Sequence, residues 1–181
     1  MAETDTDFAA LIGSRICHDL ISPVGAINNG LELLLMSGMN MSPEVALIDE
    51  SVRNASARLR FFRVAFGGGN TQPVAAQETT DILRDLYAQS KWEVIWPLGA
   101  APSRSALRMV FLGLLCLETG MPYGGLIEIE HRTTGWEITG TADRLNISAP
   151  LWGVLAGQPL AERLLPAQVQ FGLLPAIVKD S

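Results

Sequence analysis

The stretch "SRICHDLISPVGAINNG", residues 14–30, decides how the N-terminal part of the chain folds. It lies within a helix pattern, because apolar residues recur at intervals of three or four positions. The members of this stripe are Ile12, Ile16, Leu20, Val24, Ile27, Leu31 and Leu34. We predict a helix from about Asp7 to Met36, although Pro23 removes one backbone donor within it. His18 lies roughly 180° around this helix from the centre of the stripe, so its side chain is expected to face solvent.

A second helix pattern follows the break "SGMNMSP", residues 37–43. Ser42 is a suitable N-cap, and Pro43 suits the first helical position. The stripe that follows has a heptad spacing: Val45, Ile48, Val52, Ala55, Leu59, Phe62 and Phe66. The pattern stops at Gly67, so the two helices are expected to form an antiparallel hairpin. Because such a hairpin cannot bury both stripes alone, we expect either dimerisation into a four-helix bundle or burial against the rest of the chain.

The rest of the chain has the pattern of an α+β domain, in which helices cover a small sheet. Hydrophobic periodicity and capping residues predict helices at 79–89, 103–120, 149–157 and 165–180. Alternating residues predict strands at 91–97, 126–132 and 135–141, of which the last two form a hairpin. The glycine-rich segment after the second helix separates the two regions, so we predict domains at residues 1–69 and 70–181.

Composition excludes several classes of function. The chain has 181 residues, a formal net charge of −6 and a pI near 4.9, which argues against nucleic acid as the main partner. The longest apolar run is too short to span a bilayer, and the acidic N-terminus does not resemble a signal peptide. Cys17 and Cys116 provide neither a disulfide framework nor metal-ligand spacing. We expect a soluble cytoplasmic protein with no membrane segment and no metal site.

The helix face around His18 has an unusual composition. Four small or polar residues share it: Arg15, Ser22, Gly25 and Asn29. Gly25 costs about 1 kcal/mol in a helix relative to alanine, and Pro23 costs more unless the helix bends there. These penalties beside an outward-facing histidine indicate a docking surface for a partner. Asp19 could hydrogen-bond the imidazole or assist proton transfer, and a solvated surface residue is the alternative interpretation.

The second helix should supply the other wall of this surface. With the hairpin loop centred near residues 39–40, position 18 faces roughly position 61. An arginine band lies there: Arg53, Arg58, Arg60 and Arg63. Of this band, Arg58 is taken as a partner-binding residue, since a guanidinium could bind phosphate or an acidic partner, although a solvated face is equally open. Phe61 lies off the heptad stripe, which predicts an exposed docking contact, with packing on the second domain as the alternative.

The segment "HDLISPVGAI" resembles the histidine box of the dimerisation and phosphotransfer helix of sensor kinases. The pairing of "CHDLISPVGAINNGLELL" with "ASARLRFFRVAFG" is more closely similar to the alphaproteobacterial histidine phosphotransferases of the ChpT type. In the second domain, "LLCLETGMPYGGLIEIE" resembles the helix–turn–strand of a kinase ATP-binding domain. The resemblance implies an α+β fold, in which an N-terminal hairpin dimerises into a four-helix bundle and precedes a degenerate histidine-kinase ATPase-like α/β sandwich.

The resemblance also implies a function. His18 would carry a phosphoryl group on Nε2 between the aspartates of receiver domains, with Asp19 as a second catalytic residue. A kinase of this superfamily needs an asparagine on the helix for Mg²⁺ and an Asp-x-Gly-x-Gly loop. Gly113 and Leu117 stand at the positions that resemble the asparagine sites, and the loop motif does not occur. A carrier without ATP follows, which needs no cofactor in this chain because the receiver brings its own Mg²⁺.

By the same resemblance, the partners are the receiver domain of a hybrid histidine kinase and response regulators, including a regulator of the CtrA type. Two alternatives remain open. The chain could be an atypical kinase that still binds ATP, or a non-catalytic dimeric scaffold that only binds response regulators.

Overall fold

The computed structural model of the protein describes residues 2–38, 40–67, 72–97, 102–133, 135–160 and 163–179. The chain divides into two compact units. The first comprises residues 1–72 and 77–88, and the second comprises residues 73–76 and 89–181.

The first unit begins with two long helices, α1 at Ala2–Met36 and α2 at Pro43–Ala65. The Ser42 side chain caps α2 by accepting a hydrogen bond from the backbone amide of Val45, as the sequence predicts. Helix α1 begins before the predicted Asp7 and continues through Pro23. The predicted helical hairpin is confirmed.

A close contact between the two helices sets the register of the hairpin. A Cβ added at Gly13 would lie 3.4 Å from both the Cβ and the carbonyl oxygen of Phe66. Counting antiparallel from this contact places position 18 level with position 61. The predicted alignment of His18 with the arginine region of α2 is therefore confirmed.

Much of the predicted apolar stripe of α1 is not buried within the chain. Cys17 and Leu31 are buried, whereas five stripe residues are 45% to 59% exposed: Ile12, Ile16, Leu20, Ile27 and Leu34. The described residues therefore do not cover this stripe, and an apolar surface runs along α1. On α2, Leu47 and Ile48 are exposed as well.

The prediction that Phe61 is exposed is wrong, because its exposed fraction is 0%. The buried residues near the end of α2 are Ala57, Phe61, Val64 and Ala65, which define a face different from the heptad stripe. A single heptad stripe assumes a helix with one neighbour, whereas α2 has a second neighbour in the same unit. The ring of Phe61 also packs edge to face against the ring of Phe62, with the ring centroids 6.1 Å apart.

This second neighbour is helix α3, Ala76–Tyr87. Arg60 of α2 donates a hydrogen bond to Asp85 at 2.8 Å, and Arg63 reaches Glu78 at 3.4 Å. Residues 77–88 accordingly group with the hairpin rather than with the sheet. The predicted division after residue 69 falls within residues 68–71, which lie outside the described residues.

The second unit contains a three-stranded sheet among its described residues: β1 at Trp92–Ile95, β2 at Gly125–Arg132 and β3 at Gly135–Thr141. β1 and β2 are parallel, with Val94 opposite Ile127, and β2 and β3 are antiparallel, with Ile129 opposite Ile138. The parallel pair needs a crossover, which helix α4 at Arg104–Gly120 provides.

Two further helices complete this unit, α5 at Ala149–Leu155 and α6 at Val169–Lys179, the latter preceded by a short 3₁₀ turn at Pro166–Gln168. The core consists of apolar residues that are at most 1% exposed, and it includes Leu107, Val110, Phe111, Leu112, Leu114, Ile127, Ile129 and Phe171. The predicted α+β class is confirmed.

The buried position of Phe61 leads to a stability prediction. We expect Phe61→Ala to lower the free energy of unfolding by about 3–5 kcal/mol, because it removes a fully buried aromatic side chain. Phe62→Ala should cost clearly less, since Phe62 is only half-buried. Chemical denaturation of both variants at one protein concentration measures the difference. Equal losses for the two variants would contradict the burial of Phe61.

Candidate functional site

The site is centred on His18, whose side chain is 84% exposed on α1. Its neighbour Cys17 is only 5% exposed, because adjacent helix positions diverge by about 100°. The predicted outward orientation of the imidazole is therefore confirmed, and so is the packed position of Cys17. Burial raises the pKa of the Cys17 thiol, although the positive charge of Arg63 opposes the shift.

Asp19 of α1 contacts the His18 ring from one side, and Arg15 of the same helix contacts Asp19. The Nδ1 atom of His18 lies 3.2 Å from Oδ1 of Asp19, and Nε of Arg15 donates to Oδ2 of the same carboxylate at 2.7 Å. An ionised carboxylate only accepts hydrogen bonds, so Nδ1 must carry the proton in this contact. In the neutral ring, the lone pair then lies on Nε2. The predicted hydrogen bond between Asp19 and the imidazole is present.

Electrostatics favour the ionised form of Asp19. The hydrogen bond from His18 is the main cause that lowers the pKa of this carboxyl group, and the hydrogen bond from Arg15 adds to it. Stabilisation of this kind exists at pH values above the ordinary pKa of aspartate and is lost as the pH falls through the lowered pKa. Asp19 is therefore a carboxylate at neutral pH.

The helix face beyond His18 is open to approach. Ser22 and Asn29 are exposed, and no atom lies within 4 Å of a Cβ added at Gly25. Because Pro23 lacks an N–H, the carbonyl oxygen of Asp19 loses its usual helical donor one turn ahead. The face thus presents bare backbone and small side chains next to the imidazole.

The arginine band of α2 is less basic than the sequence suggests. Asp49, Asp85 and Glu78 pair with Arg53, Arg60 and Arg63, respectively. Arg58 is the member of the band that has no ion pair within the described part of the chain, and it is half-buried. The structure thus places Arg58 on the hairpin about one turn from the level of His18, whereas Phe61 contributes no surface.

Sequence reasoning missed the part that α3 plays here. Burial would raise the pKa of Asp85, but hydrogen bonds from Arg60 and Arg84 outweigh it and lower that pKa. The only signal in the sequence was the acidic pattern of "ETTDILRD", residues 78–85. That pattern does not predict that these carboxylates pair with the arginines of α2 instead of facing solvent.

The described residues contain no group of three or more histidine, cysteine, aspartate or glutamate side chains that could hold a metal ion. Within the same residues, no helix has both the length and the apolar character needed to cross a membrane.

Comparisons with known proteins agree on one family. The model of the histidine phosphotransferase C-terminal domain matches residues 76–181. The protein phosphotransferase ChpT of Brucella abortus (strain 2308) is 40% identical over 126 residues, which are 68% of this chain. That alignment spans 60% of the length of the Brucella protein.

Among solved structures, a bacterial phosphotransferase superposes with a TM-score of 0.64 at 31% identity. The superposition covers 96% of this chain and 86% of that one, so it includes both the hairpin and the sheet. Together with the family model, these similarities show that the chain belongs to the histidine phosphotransferase family.

Proposed function

We propose that this chain is a phosphohistidine carrier of a two-component phosphorelay. The observation that carries the proposal is His18, an exposed imidazole whose Nδ1 is held by a carboxylate and whose Nε2 has no hydrogen-bond partner among the described residues. Membership of the histidine phosphotransferase family and the 40% identity to a protein phosphotransferase support the same function.

The transfer step can be written from these atoms. The lone pair on Nε2 attacks the phosphorus of a receiver's aspartyl phosphate, and an N–P bond forms. The P–O bond to the receiver breaks, and its electrons leave with the aspartate carboxylate. The ring gains one positive charge, because Nδ1 keeps its proton. The Asp19 carboxylate, 3.2 Å from Nδ1, stabilises that charge. Transfer to a second receiver reverses these steps.

This chemistry needs no metal in the chain itself. The transferring phosphoryl group carries negative charge that Mg²⁺ neutralises in related reactions, and a receiver domain supplies the ion from its own acidic pocket. We propose that the carrier has no cofactor, and that Arg58 adds a positive charge for the phosphoryl group or the receiver surface.

A carrier of this kind would not phosphorylate itself from ATP. The loop motif Asp-x-Gly-x-Gly does not occur in the sequence. At position 113, which resembles an asparagine site of kinases, an added Cβ would lie 2.6 Å from Cδ1 of Ile138. An asparagine there would require the end of the Ile138 side chain to shift, so glycine suits the present packing of α4 on β3.

Receivers would dock on the open face of α1. By resemblance, these are the receiver of a hybrid histidine kinase and those of response regulators, including one of the CtrA type, all in the cytoplasm. Ser22, Gly25 and Asn29 lie on this face beside Arg15, and a partner helix could approach the backbone at Gly25 closely.

The chain would act as a homodimer. Its α1 stripe is apolar and about half exposed at Ile12, Ile16, Leu20, Ile27 and Leu34. Two copies of the hairpin would cover these stripes against each other as a four-helix bundle, which is a common solution for paired helices.

Two other functions make different predictions. An atypical kinase would become labelled from ATP alone. A non-catalytic scaffold would bind receivers as well without His18 as with it, and it would not become labelled from either source.

The first test is phosphoryl transfer from a labelled phospho-receiver. We expect the wild-type chain to become labelled and His18→Ala to stay unlabelled, because the variant lacks the accepting nitrogen. ATP without a receiver should label neither protein. Label on the wild-type chain from ATP alone would support the kinase instead. No label from either source would leave the scaffold.

The docking face can be tested with Gly25→Leu. A leucine there fills open space, so the helix should remain folded, but we expect receiver affinity to fall by at least about tenfold because the partner can no longer approach the backbone. Gly30→Leu is the matched control, since it also meets no atom within 4 Å and lies about 140° around the helix from Gly25. Isothermal titration with a receiver measures both. Unchanged affinity in Gly25→Leu would place docking elsewhere.

The dimer is tested by charge on the exposed stripe. Ile27 is 52% exposed, so Ile27→Glu should not disturb the folded monomer. We expect it to prevent dimerisation, because the four-helix bundle would have to bury the new carboxylate, and the variant should have the monomeric mass. Leu33→Glu is the control, because Leu33 is 66% exposed but lies off the stripe. Sedimentation equilibrium distinguishes the masses. If both variants keep the wild-type mass, α1 does not form the interface.

A further inference from the structure

We propose that Arg15 is a positioning residue of His18, which acts through Asp19 rather than by contact with a receiver. The inference deepens the proposed function and rests on it, since the imidazole matters only if it carries the phosphoryl group. This role differs from the one predicted from the sequence, in which Arg15 binds the partner.

The geometry is a chain of two hydrogen bonds on one side of α1. Nε of Arg15 donates to Oδ2 of Asp19 at 2.7 Å, and Oδ1 of Asp19 accepts from Nδ1 of His18 at 3.2 Å. Each oxygen of the carboxylate thus has a different partner. The two bonds do not compete, so Asp19 can hold the ring while Arg15 holds Asp19.

Asp19 needs Arg15 to fix its side-chain conformation because Asp19 is exposed. Its side chain is 50% exposed, and an unrestrained aspartate on a helix surface populates several rotamers. Asp19 also lies about 100° around the helix from His18, so only some of these rotamers reach Nδ1. Arg15 stands four residues earlier, one turn away, where helix geometry brings an arginine and an aspartate together. Its hydrogen bond selects the rotamer in which Oδ1 meets the ring.

The positive charge of Arg15 has a second effect. It favours the ionised carboxylate, so the proton of the Arg15–Asp19–His18 chain stays on Nδ1 and the lone pair stays on Nε2. Arg15 and His18 both lower the pKa of Asp19. The nucleophile is thereby prepared before any receiver arrives.

The test measures which nitrogen of the His18 ring carries the proton in the protein without a receiver. In ¹⁵N NMR spectra recorded at a pH where the imidazole is neutral, we expect Arg15→Ala to reduce the fraction of His18 that carries its proton on Nδ1. Arg15→Lys should restore most of that fraction, because lysine can also bind the carboxylate. Arg53→Ala is the matched control, since Arg53 pairs with Asp49 at 2.9 Å at the same helical spacing. It should leave the His18 spectrum unchanged.

The same variants are compared in single-turnover transfer at saturating phospho-receiver. We expect Arg15→Ala to slow transfer by about two- to fivefold, the range for an exposed ion pair, while the dissociation constant of the receiver stays within twofold of the wild-type value. Arg15→Lys should recover most of the rate.

Two results would overturn the proposal. One is an unchanged His18 spectrum in Arg15→Ala. The other is a weaker receiver affinity with an unchanged saturated rate, which would make Arg15 a partner contact. If the spectrum changes as expected but no chain becomes labelled, the positioning role stands and the proposed carrier function fails. The two failures are therefore distinguishable.

Discussion

The antiparallel register of α1 and α2 is the constraint on which the site depends. Gly13 lets the end of α2 approach α1 at Phe66, and every level of the hairpin follows from that contact. It brings Arg58 within about one turn of the level of His18, and it places Cys17 near enough to Arg63 for the positive charge to act on the thiol. A hairpin displaced by one turn would keep its helices and its hydrophobic residues, but it would place other side chains beside the histidine.

The surface of the same hairpin is partly packed against other residues and partly exposed. The buried face of α2 is filled by small and aromatic side chains, and ion pairs tie α2 to α3 on another side. The exposed surface of α1 includes an apolar stripe on one side and small or polar residues around His18 on the other. Because the helix rotates by about 100° per residue, the two faces can be altered independently by single substitutions.

Periodicity and capping were sufficient to predict most elements of the fold. The helical hairpin, the separate strands and helices of the second unit, and the outward face of His18 all follow from local patterns of one segment, whereas the parallel pairing of β1 with β2 does not. The errors arose where a side chain depends on a second neighbour. Phe61 lies off the stripe of its own helix but is buried, and Arg60 and Arg63 of the basic band are paired with carboxylates of α3. A pattern within one helix contains no information about which other helix lies beside it.

Cys17 and His18 are adjacent in the sequence, and both side chains are nucleophiles in principle. A thiolate is the stronger nucleophile of the two, but burial raises the pKa of Cys17 and keeps it as a thiol that solvent hardly reaches. In the proposed function, a phosphoryl group that arrives from solvent would therefore meet the nitrogen of His18 and not the sulfur of Cys17. The rotation between two consecutive helix positions would thus provide chemical selectivity, and it keeps the Cys17 thiol away from oxidants in solvent.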